Sequence, residues 1–516
     1  MYLLKSIIFL AVSLMLSHQT FADKMPEFQF HSKDLPKSGD IVIIATSSDL
    51  IGKSAEIDKF VNNQISIALS KHEFSGDFGN ALIFNAISPF HKVTIIGAGT
   101  EELNKRKLHD LGGHIASKSE GNTVVIAEDL NTNVLAAGAH IAKGFALKNY
   151  KFEKYKYKAD SSKNDLKTLP IIMHVNEPDK SDQNYHNDLV HVVEGTYLAR
   201  DLGTEPGNII YPDTFIERVL PKFSNVQNIK IHIMKEDEIR REGMGVLLGT
   251  ARGSIHDARM LIIEYNGAEK EKAPLALVGK GITFDTGGIT LKQNSGMWYM
   301  KSDLSGAAAV AGTLLASSKR GENINIVGLM PLSENMPAAD AIRPGDVLTS
   351  MGGKTIEIGS TDAEGRLQLA DAVQYAQKYF NPYMLLDIAT LTGSASSAMG
   401  SDYGAVLTRD WDLSMRMMKI GKNSGEDVWP LPLNESHFEQ IKSNIADIVS
   451  TAGRPGASIG AAVIGTFVDE NLPWVHLDIA GVDWRDSPTP TTPKGHAGWG
   501  VRFMNELIRE EANKLE

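Results

Sequence analysis

A chain of 516 residues is too long for one ordinary domain, so two or three are expected, and its 42% apolar and 22% charged residues leave ample material for a buried core. The net charge of −11 argues against general affinity for nucleic acid or anionic membranes. With no cysteine, the sequence excludes disulfides, thiolate metal ligands, a catalytic thiol and a lipid-bearing cysteine.

Residues 1–22 read as a secretory signal peptide: Lys5 supplies a charged start, Ile7 to Leu16 a short apolar run, and Thr20-Phe21-Ala22 small residues at −3 and −1. The apolar run has roughly half the length that a membrane span needs. The expectation is an exported protein of a bacterial periplasm or medium, with no membrane partner. Residues 23–38 are polar with two prolines and read as a tether. Strands are expected over 40–45, 91–97, 122–127 and 169–175, alternating with helices over 56–71, 103–118 and 133–147. That alternation predicts an α/β domain over 23–181 with a largely parallel sheet. Gly97-Ala98-Gly99 lacks the third glycine of a dinucleotide loop, since Glu102 stands there, and reads as a tight strand–helix turn. Lys151 to Lys167 reads as an exposed basic loop. Residues 182–203 read as a linker helix, and Thr204-Glu205-Pro206-Gly207-Asn208 marks the start of a second domain, 204–516. Its expected strands cover 229–234, 260–265, 275–279, 324–330, 384–389 and 474–479, with helices over 306–318 and 367–379.

The second domain is organised around Gly359 to Val373. Asp362 and Glu364 stand two apart, so in an extended segment both carboxylates converge on one point. Gly365 permits a tight turn, and from Arg366 the apolar residues Leu369, Val373 and Ala376 recur at helical spacing. A helix N-terminus beside an arginine favours a bound anion. A second cluster lies upstream. The buried-type strand 275–279 runs into Gly279-Lys280-Gly281-Ile282-Thr283-Phe284-Asp285, Lys292 follows, and Asp303 precedes the small-residue run Gly306 to Val310. Strand ends with glycines are the usual edge for a site in an α/β sheet. Lys280, Asp285, Lys292, Asp303, Asp362 and Glu364 together point to a metal centre, with enough carboxylate oxygens to bridge two divalent ions. Oxygen ligation suits manganese or magnesium, and carboxylates also accept zinc. No H-E-x-x-H or G-x-S-x-G motif is present, and His476-Leu477-Asp478 reads as a strand end.

These stretches resemble the leucyl (cytosol) aminopeptidase family of dinuclear metallopeptidases. The resemblance runs through Val278–Gly288, Met300–Val310, Ser333–Met336, Arg343–Asp346, Thr361–Leu367, Asp387–Gly393 and His476–Gly481, covering roughly residues 190–510. It implies a two-domain α/β fold, with a smaller N-terminal α/β domain and a larger C-terminal α/β catalytic domain around a central mixed sheet. It implies a metal-dependent aminopeptidase that removes apolar N-terminal residues such as Leu or Met from peptides by a two-metal-activated water. Lys280, Asp285, Asp303 and Glu364 would hold one metal, manganese or zinc, and Asp285, Asp362 and Glu364 the other. Lys292 would donate to the developing oxyanion. Arg366, with backbone groups of Gly365 and Leu367, would hold a bicarbonate that relays protons. Met300, Thr390, Leu391 and Gly393 would line the pocket for the N-terminal side chain, and the assembly would be a homohexamer. Ser360 stands where the family commonly has asparagine, and Trp298-Tyr299 is bulkier than usual. Two other readings stand beside this one. A DNA-binding or regulatory role runs against the acidic balance and the export signal. A catalytically dead homolog runs against seven matched chemical positions, all intact.

Overall fold

A computed structural model of the protein describes residues 25–32, 35–119, 122–157 and 169–515. The expected signal peptide and the second half of the basic loop lie outside them.

The N-terminal domain is a six-stranded sheet. In spatial order its strands are Phe28–His31, Ile171–Val175, Thr123–Ala127, Gly39–Ala45, Phe90–Gly97 and Ala81–Asn85. All pairings are parallel except the last, which runs antiparallel. The alternation of apolar runs with helices predicts this layout. Two expectations fail. The tether over 23–38 contains the edge strand Phe28–His31, whose Phe28 and Phe30 are buried while Gln29 and His31 face out. That period-2 signal is only four residues long and sits among polar neighbours. The single helix over 56–71 is two, Gly52–Phe60 and Gln64–Lys71, because Asn62 and Asn63 both take φ of 56° in the left-handed region that asparagine tolerates.

The linker region opens with the helix Pro178–Asn184 and passes through a wide turn, Tyr185–Leu189, into the helix Val190–Thr204. This last helix packs against Ser305–Arg320 at two glycines. A Cβ on Gly195 would lie 2.2 Å from the Gly312 carbonyl oxygen, and one on Gly312 would lie 2.3 Å from that of Gly195. Only glycine at both positions permits so close a crossing.

The C-terminal domain is built on a nine-stranded mixed sheet. Its spatial order is Val428–Pro430, Gly404–Leu407, Trp474–Asp478, Met384–Ala389, Leu275–Gly279, Asn325–Asn335, Arg259–Asn266 and Ile229–Met234, with Gly281–Asp285 also pairing with Asn325–Asn335. One apolar layer, including Ala307, Leu314, Phe503 and Leu507, fills one face. The other face is filled by Leu367, Leu369, Val373, Ile459 and Val463, from the helices Glu364–Phe380 and Gly456–Gly465. The strand expected over 324–330 runs on to Asn335. Pro331, inside it, has no N–H to give the ladder. It sits where the strand changes neighbour, from Val278 opposite Leu329 to Gly281 opposite Leu332.

Candidate metal centre

The change of neighbour creates the site. The chain steps from one strand to the next at Lys280, whose N–H donates to Ile388 at 3.0 Å while its carbonyl accepts from the Ala307 N–H at 2.8 Å. The lysine side chain then runs over Gly365, where a Cβ would lie 2.6 Å from Lys280 Cε. Gly365 is therefore not a turn before a helix, as its type suggests in sequence. It is the second residue of the helix Glu364–Phe380, and it is glycine so that Lys280 can pass.

Lys280 Nζ donates to Asp303 Oδ1 at 2.8 Å, Glu364 Oε1 at 2.9 Å and the Thr390 carbonyl at 2.8 Å, which uses all three of its protons. Lys292 Nζ meets Asp285 Oδ2 at 2.8 Å and Asp362 Oδ1 at 2.6 Å. Carboxylate oxygens of Asp285, Asp303 and Glu364, all buried, lie within 4.8 Å of one another. Asp362 is outside this triad. It stands at the rim with its side chain 35% exposed and joins the cluster through Lys292. The convergence expected of Asp362 and Glu364 is thus indirect, because Glu364 already belongs to the helix.

Four carboxylates face two ammonium groups, and the surplus is negative. Asp303 Oδ2 and Glu364 Oε2 are buried without a hydrogen-bond partner among the described residues. Leaving such atoms unpaired is costly, and a hard divalent cation is the partner that an oxygen set of this kind accepts. The residues present therefore fit a metal. Their titration reflects the crowding. Burial, with the charge of Glu364, lifts Asp285 to about 6 against the pull of both lysines. Burial raises Asp303 well above the usual range and raises Asp362 despite Lys292. For Glu364 burial is outweighed by Lys280 and Lys292, which hold it below the ordinary value. Burial acts to lower both lysines, but the surrounding carboxylates hold them above the ordinary ammonium value.

Arg366 lies two residues further along the helix, buried, with Nη1 donating to the Ser450 carbonyl at 2.8 Å and Nε without a partner among the described residues. Leu367 is fully buried behind it. Met300 belongs to the short 3-10 turn Met297–Ser302 that leads into Asp303. Thr390 and Leu391 follow the strand Met384–Ala389, and Thr390 Oγ1 donates to Asp303 Oδ1 at 2.7 Å. Gly393 opens the helix Gly393–Met399, and nothing lies within 4 Å of where its Cβ would stand. Trp298, 54% exposed, stacks on Tyr299 with ring centroids 3.7 Å apart.

Several supporting residues lie inside the family-like stretches, but spacing alone assigns them no role. Asn335 Nδ2 donates to Asp285 Oδ1 at 2.8 Å and to the Thr361 carbonyl at 3.0 Å, fixing the carboxylate from behind. His476 is a mid-strand residue. Its Nδ1 lies 2.5 Å from Asp387 Oδ1, and Asp387 also accepts from Trp474 Nε1 at 2.7 Å. Asp478 accepts from Thr392 Oγ1 at 2.6 Å and from the Leu391 N–H at 3.0 Å, shaping the loop beside the centre. The available signal was a lone aspartate inside the apolar run Met384–Ala389, since a buried acid needs partners.

A mixed α/β sheet carrying a carboxylate–lysine cluster at a strand edge defines a candidate metalloprotein. The comparisons narrow it. The model of the cytosol aminopeptidase family catalytic domain matches residues 197–505, and that of the family's N-terminal domain matches 41–159. A probable cytosol aminopeptidase of Rhodopseudomonas palustris is 39% identical over 459 residues, covering 87% of this chain and 91% of that one. A probable cytosol aminopeptidase of Wolbachia pipientis is 37% identical over 449 residues, covering 86% and 88%. Among solved structures, a tomato leucine aminopeptidase variant superposes with a TM-score of 0.82 at 28% identity, covering 94% of this chain and 97% of that one. The bottromycin maturation enzyme BotP in complex with Mn gives 0.78 at 26% identity, covering 92% and 99%. The chain belongs to the cytosol aminopeptidase family, and it is a metal-dependent hydrolase of the aminopeptidase type that acts on peptides.

Proposed function

We propose that the protein releases apolar N-terminal residues, of the leucine or methionine kind, from peptides with the help of two divalent ions. The observation that carries this reading is the buried triad Asp285, Asp303 and Glu364 with two unpartnered carboxylate oxygens. Asp285, Asp303 and Glu364 would hold one ion together with Lys280, which has to give up a proton to the adjacent dication's charge in order to ligate, and Asp285, Asp362 and Glu364 would hold the other. Manganese or zinc suits both, and the Mn-bound relative supports the first. When bound, the ions supply Lewis acidity, which acidifies water and polarises a carbonyl.

The rest is done by the chain. Lys292 donates to the substrate carbonyl oxygen as negative charge develops there. Asn335 and Thr390 hold Asp285 and Asp303 in place, so the ligand set needs little reorganisation. Arg366, with the backbone N–H groups of Gly365 and Leu367, would hold a bicarbonate, and its buried unpaired Nε supports an anion there. Met300, Thr390, Leu391 and Gly393 line the pocket for the N-terminal side chain, with Gly393 leaving room. Two more elements belong to the proposal, the first from family resemblance and the second from the signal-like N-terminal sequence, which is unusual for this family. A homohexamer is checked by light scattering. Export with cleavage after Ala22, giving a mature N-terminal domain over 23–181 and a catalytic domain over 204–516 joined by 182–203, is checked by N-terminal sequencing of periplasmic protein.

The test is hydrolysis of Leu-p-nitroanilide by chelator-stripped protein, then by protein with Mn or Zn restored. Metal-restored release establishes the reading. Folded protein that takes up two metals per chain without releasing product would overturn the substrate assignment, and failure to take up metal would overturn the centre itself.

A further inference from the structure

A second cluster of buried charge lies far from the metal centre in sequence, at the seam between the domains. The N-terminal helices Lys105–Lys118 and Ala137–Asn149 meet the C-terminal helix Val501–Leu515 and the turn Tyr185–Leu189 around a cavity of about 170 Å³. At about 30 Å³ per water it holds five or six waters, or one small ion with fewer.

Its wall is rich in cations: Lys105, Lys143, Arg502 and Arg509, against the acids Asp188 and Glu506. Three of the six are already engaged, while the acid Glu506, across from Lys143, makes no hydrogen bond or ion pair with a described residue. Asp188 accepts from Arg509 and lies 3.8 Å from Arg320. Arg502 Nε meets Glu426 Oε1 at 3.1 Å, and the other oxygen of Glu426 takes the Gly500 and Phe503 N–H groups. Lys143 is different. It is only 8% exposed and lines the cavity, yet its Nζ makes no hydrogen bond or ion pair with any described residue. Lys105, at the mouth, has none either. Behind them His109 Nε2 and His140 Nδ1 lie 3.1 Å apart. Burial and then the charge of Lys143 hold both rings below the ordinary imidazole value, so neither adds charge. Two neutral imidazoles carry two N–H groups and use one on each other, which leaves one donor.

We propose that this seam cavity binds a small tetrahedral oxyanion of the phosphate or sulfate class, held by Lys143 and Lys105 and bridging the two domains. Lys143 faces a cavity that admits water, with no acceptor among the described residues within hydrogen-bond distance, and an oxyanion there supplies charge-assisted bonds stronger than those to water. The volume admits a free ion and excludes a nucleotide.

The test is calorimetric titration of the metal-loaded full chain with sodium sulfate, against sodium chloride at matched ionic strength. Sulfate is chosen as a weak competitor for the metal centre. The expected result is one site per chain, weakened about tenfold or more in Lys143→Met and by a smaller factor in Lys105→Ala, with peptidase turnover unchanged in both. Equal sulfate binding in all three proteins, or no heat beyond the chloride control, overturns the proposal. Should Lys143→Met fail to fold, the exposed Lys105→Ala and a tungstate soak decide. An anomalous peak beside Lys143 Nζ supports the site, and its absence overturns it.

Discussion

The metal centre and the seam cavity both take ionisable groups out of water, and they fail to balance in opposite senses. At the centre, four carboxylates exceed two lysines, two oxygens are left without partners among the described residues, and burial lifts Asp285 to about 6. At the seam the surplus is positive, and burial, with Arg509 and Arg502, pushes Lys143 down to about 7. A buried group with the wrong neighbours either gives up its charge or finds a counter-ion. The centre is arranged for the second outcome. Its carboxylates converge on shared space and are braced by Asn335 and Thr390, so a cation finds ligands already placed. Asp371 shows that burial alone is not the signal. It is lifted to about 7, but its two oxygens take the Val246, Leu247 and Met351 N–H groups, and it ties loops to the helix Glu364–Phe380.

The largest effect expected comes from removing the surplus at the centre. Glu364→Ala deletes a carboxylate that Lys280 and both proposed ions share. Turnover of Leu-p-nitroanilide should fall to background, and metal per chain, read by mass spectrometry, should fall with it. A variant that keeps two ions would show that the negative surplus is not what holds them. The next effect tests the cations. Lys292→Met removes the ammonium between Asp285 and Asp362 but no carboxylate. Metal content should persist while kcat drops by about 10²–10³-fold, the range seen on removing one oxyanion donor. Loss of metal along with activity would make Lys292 a structural counter-ion instead.

How much of this was legible beforehand depends on the kind of signal. The strand–helix alternation gave both α/β sheets, because apolar periodicity is local. The gathering of Lys280, Asp285, Lys292, Asp303, Asp362 and Glu364 was legible only jointly, from acids and lysines near glycine-rich strand ends, since each alone reads as structural. What stayed hidden depends on partners distant in sequence. Phe28–His31 is a strand only because Ile171–Val175 lies beside it. Pro331 stays within a strand only because the neighbour changes there. Gly365 looks like a turn until Lys280 is seen crossing it. Asn335 sits in the family-like stretch Ser333–Met336 without an evident role until Asp285 faces it, and Lys143 is one lysine among many until the C-terminal helix covers it.

A smaller effect separates the centre's edge from its core. Arg366 is buried with an unpaired Nε, and the proposed anion site rests on it. Arg366→Ala should lower kcat by about 10²-fold, the lower end for lost proton transfer, with KM nearly unchanged. A raised KM at constant kcat would move Arg366 from proton handling to substrate binding.

The smallest effect is one of stability, and it concerns the seam. Lys143 titrates at about 7 in the folded chain against an ordinary value of 10.5. The unfolded chain therefore binds this proton more tightly. The resulting penalty on folding is complete below pH 7 and fades as pH rises toward 10.5. Lys143→Met keeps the side-chain length and removes the penalty, so its melting temperature should exceed that of the unaltered chain by about 2–5 °C at pH 6.5 and by less at pH 9. Saturating sulfate should raise the unaltered chain and leave the variant where it is, closing the gap at pH 6.5. A variant no more stable at pH 6.5 would mean that the chain already compensates this ammonium, and the contrast with the metal centre would then be one of degree only.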